Sequence, residues 1–66
     1  MAGSNRGRLK EHLEGVHKNC EWIKTHVADS LLIIGEVNPK LQEGFRGLGE
    51  LAKSLDEFAQ DMYSHI

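Results

Sequence analysis

Apolar residues recur every seven positions along most of the chain, as Leu13, Cys20, Val27, Ile34, Leu41, Leu48, Leu55 and Met62. A second row lies three or four residues away: Leu9, Val16, Ile23, Ser30, Val37, Gly44, Leu51, Phe58 and His65. Lettered a and d of a seven-residue repeat, the two rows trace the stripe that an α-helix buries against another helix. The pattern therefore predicts an all-α chain.

The stripe runs through Gly35-Glu36-Val37-Asn38-Pro39, a sequence that stops one helix and starts another. Glycine suits the left-handed position that closes a helix. Asparagine caps the next one, proline is favoured at its first position, and the residue before proline resists helical dihedrals. The expected order is a first helix over about 5–35, a turn over 35–38 and a second helix over about 39–64. Ser4 or Asn5 is the expected first cap, with fraying up to Leu9 because Arg6, Gly7 and Arg8 make a poor first turn. The alternative is a continuous or kinked coiled coil, because the seven-residue phase survives the turn and Pro39 falls at the outward f position. In the second helix, Gly44, Gly47 and Gly49 predict a locally weak stretch that packing must rescue.

The two helices differ in the width of their apolar stripe. The first carries Lys10, His17 and Lys24 in its e row, which reads as a solvated or salt-bridged flank. The second adds Phe45, Ala52, Ala59 and Ile66 in the same row, so three apolar rows lie side by side. Such a width touches two neighbours, more than a lone hairpin supplies. The economical answer is a helical hairpin that self-associates as a homodimer into a four-helix bundle. Its expected oligomer interface comprises Leu13, Val16, Cys20, Ile23, Val27 and Ile34 from the first helix. The second helix contributes Leu41, Phe45, Leu48, Leu51, Leu55, Phe58 and Met62.

Size sharpens that expectation. A chain of 66 residues makes one small domain, and domains near this length bury only about 60% of their unfolded-chain surface. Small chains are usually completed by disulfides, a metal or a partner chain. Cys20 is the single cysteine, which excludes an internal disulfide and suits a reducing, intracellular, cytoplasmic setting. No apolar run reaches the length of a membrane span and no signal-peptide pattern is seen at the start, so no membrane association is expected.

Net charge is −2, unevenly spread. Residues 1–35 hold five Lys/Arg and four Asp/Glu with three of the four His; residues 36–66 hold three Lys/Arg and six Asp/Glu. The asymmetry favours the first half lying against the second, within one chain or across a dimer. The balance argues against a dedicated nucleic-acid binder, which would be distinctly basic. A small nucleic-acid-associated regulator using the weak Lys10/His17/Lys24 stripe remains the rival reading.

Catalytic and metal chemistry find no pattern. His12, His17, Cys20 and His26 lack the paired ligand spacing of a structural zinc site, so Cys20 reads as a buried thiol beside solvated histidines. Glu11, Glu14, Glu43, Glu50, Asp56, Glu57 and Asp61 fall on outward positions, where carboxylates keep a helix soluble. Neither Ser30 nor Ser54 has a base and an orienting group nearby in sequence. No catalytic, cofactor-binding or metal residue is expected, and the chain is not read as an enzyme. Trp22 at c and Tyr63 at b lie off the a/d stripe, and Leu32 belongs to an apolar run covering every side of a turn. These three are candidate contacts for a further helix or a protein partner. The sequence thus predicts a non-catalytic oligomerisation or protein-interaction module, a small adaptor or regulator or a coiled-coil fragment.

Overall fold

The structure, a computed structural model, describes residues 2–66, with side chains from Asn5 onward. Two helices make up the fold: α1 spans Ala2–Ile34 and α2 spans Pro39–Ser64. The chain reverses between them, so the continuous rod is overturned. Residues far apart in sequence meet: the Tyr63 hydroxyl donates to Glu14 at 3.2 Å, and His17 bonds Asp56 at 2.7 Å.

Local chemistry explains the reversal. Gly35 takes a φ of +58°, and its N–H bonds the Leu31 carbonyl at 3.0 Å, closing α1. Asn38 opens α2, its side-chain oxygen accepting from the Leu41 N–H at 3.1 Å, with Pro39 as the first helical residue. The Gln42 side chain donates back to the Gly35 carbonyl and ties the two ends of the turn together. At the far end, α1 already begins at Ala2 instead of at a Ser4 or Asn5 cap. Asn5 lies within the helix, and the Ser4 side chain falls outside the described residues.

α2 continues unbroken through its three glycines. Gly49 faces α1: a Cβ there would touch the Val27 Cγ1 at 3.4 Å, whereas Gly44 and Gly47 face open space. The close approach at Gly49 belongs to a wider pattern. α1 meets α2 through its a and e rows, including Leu13, His17, Cys20, Lys24, Val27, Leu31 and Ile34. α2 answers with e and b rows, including Phe45, Gly49, Ala52, Asp56, Ala59, Tyr63 and Ile66. Cys20, Val27, Ala52, Ala59 and Asp56 are the buried residues of this seam. Small side chains on α2 let the two backbones come together, and Cys20 and Val27 fill the space between them.

The hairpin is long and thin, measuring 55 × 15 × 11 Å. Among the described residues, no helix is long and apolar enough to cross a membrane.

Candidate association face

Two faces of the hairpin carry different chemistry. The first is polar and centres on Asp56, which is only 4% exposed. Its Oδ1 accepts from the His17 Nδ1–H at 2.7 Å, and its Oδ2 lies 3.7 Å from the Lys24 ammonium. Lys24 also lies 3.3 Å from Glu21. The His17 hydrogen bond is the main cause holding the Asp56 carboxyl below its ordinary pKa; Gln60 and the Lys24 charge add to it. The bond to Glu21 raises Lys24 in turn. No buried side-chain nitrogen or oxygen among the described residues lacks a partner.

This cluster corrects one expectation. Asp56 faces inward, not outward, because its turn of α2 lies on the seam where His17 and Lys24 satisfy it. His17 and Lys24 are salt-bridged, as expected of their flank, and their partner lies across the hairpin. His17, Glu21 and Asp56 also offer three potential metal-ligand atoms within 4.8 Å of one another. The Lys24 ammonium already supplies the positive charge these carboxylates require, and it would oppose a metal ion beside it.

One helical turn or more toward the open end, Tyr63 bridges the helices. Its hydroxyl bonds Glu14, which raises its pKa, and the Lys10 ammonium lies 5.2 Å from its ring centre. Leu13, His17, Ala59 and Gln60 complete a shallow open groove here. Lys10, His17 and Lys24, the rival basic stripe, thus each make a contact to α2 within the hairpin.

The second face is apolar. At 3.6 residues per turn, rows a and d of α2 lie about 100° around the helix from the rows that touch α1. Row d of α1 is displaced by about 75° from its own inner rows. Because the helices run antiparallel, both displacements lead to the same side of the hairpin. Leu9, Val16 and Ile23 of α1 therefore share one face with Leu41, Leu48, Leu51, Leu55, Phe58 and Met62 of α2. Leu51 and Phe58 are each 68% exposed, and Leu41, Leu48, Leu55 and Met62 are about half exposed.

The residues expected at an oligomer interface thus divide between two places. Cys20 and Val27 are buried inside the hairpin, with Leu13, Ile34 and Phe45 half-buried beside them. Val16 and Ile23 border the outer face, and Leu41, Leu48, Leu51, Leu55, Phe58 and Met62 lie on it. Among the candidate partner contacts, Tyr63 packs across to α1. Trp22 is exposed on the side of α1 away from α2, its ring 6.1 Å from that of His26, and Leu32 is exposed near the turn. The inner b row of α2 escaped the sequence reading, although Gly49, Ala52, Asp56 and Ala59 recur at three-and-four spacing as a stripe of small residues. Compared with known proteins, the chain matches no family model, and no curated protein or solved structure is similar to it.

Proposed function

We propose that the chain is a non-catalytic helical association module, a small adaptor or regulator, that pairs with a second copy of itself into a four-helix bundle. The observation that carries this reading is the uncovered apolar face, eight large exposed side chains aligned along one side of a two-helix layer, with Val16 half-buried at its border. Monomeric soluble proteins rarely expose a contiguous patch of that kind without a partner.

Shape and area support it. The chain exposes 5390 Å², whereas a compact monomer of its 7.4 kDa mass exposes about 4,200 Å². Its radius of gyration is 15.6 Å, against about 11 Å for a compact domain of this length. A face 55 Å long and two helices wide offers on the order of 1,000 Å², above the roughly 800 Å² per partner of a standard interface. Moving a large side chain from half exposed to buried returns about 1 kcal/mol. Over two chains the face returns on the order of 20 kcal/mol, more than the roughly 4–15 kcal/mol that association costs.

Sedimentation equilibrium over a range of concentrations tests the reading. The expected mass is twice that of the chain at micromolar concentration, falling to one chain for Leu51→Asp. A wild-type chain that stays monomeric and cooperatively folded throughout would refute it.

A further inference from the structure

We draw no further inference here: the strongest candidate, the exposed aliphatic cluster of Leu32, Ile33 and Val37 at the turn, is an unpartnered apolar surface and nothing in the structure shows what covers it.

Discussion

The two sides of α2 use apolar residues of opposite size. Toward α1 it presents Gly49, Ala52 and Ala59 around a buried Asp56; away from α1 it presents Leu48, Leu51, Leu55 and Phe58 to solvent. The small side lets one chain close on itself at short range and bury little. The large side leaves Leu48, Leu51, Leu55 and Phe58 about half exposed or more. Under the proposed self-association, the stability of the hairpin and that of the dimer are coupled, because the intrachain seam alone is thin.

The strongest way to break this contrast is to charge the large side. Leu55→Asp with Phe58→Asp should weaken self-association by on the order of 1,000-fold or more, read by sedimentation, with loss of helicity at low concentration. Retained mass would show that the large side is not an interface.

Filling the small side tests the opposite property. Ala52→Leu adds volume at a buried position of the seam and should destabilise by about 1–3 kcal/mol, read in a urea melt at fixed chain concentration. A stabilised variant would mean that the seam holds spare room and is not closely packed.

The turn gives a smaller and purely conformational effect. Space beside Gly35 is open, so Gly35→Ala meets no neighbour and pays only for its left-handed φ. A loss of about 1 kcal/mol is expected, against no change if α1 simply closes in another conformation.

The last effect concerns the form of the pH dependence. Asp56 is held below its ordinary pKa in the fold, chiefly by His17. Its contribution to stability is therefore complete above about pH 4 and is lost as the pH falls through the lowered value. Thermal melts from pH 7 to pH 2 should show a steeper acid decline for the natural chain than for Asp56→Asn. Parallel curves would show that the carboxylate is not engaged as placed.

Several of these features were legible before any fold was known. Gly35, Asn38 and Pro39 mark the stop and restart through backbone chemistry that acts within four or five residues. The extra e row of α2, Phe45, Ala52, Ala59 and Ile66, signalled a stripe too wide for one neighbour. The b row was not legible, because a charged Asp56 and a polar-tipped Tyr63 read as surface residues until their partners are known. Those partners, His17, Lys24, Lys10 and Glu14, lie 32 to 53 residues away in sequence. The unbroken seven-residue phase pointed toward a rod, yet its a row serves the hairpin seam in α1 and the outer face in α2.

The sequence by itself determined two amphipathic helices and the point of reversal, since periodicity and capping are local properties of the chain. Only the tertiary structure decided which rows face inward. Small residues at Gly49, Ala52 and Ala59 line the side of α2 turned to α1, and His17 and Lys24 make burial of Asp56 tolerable. That rotation of α2 turns its large apolar row outward.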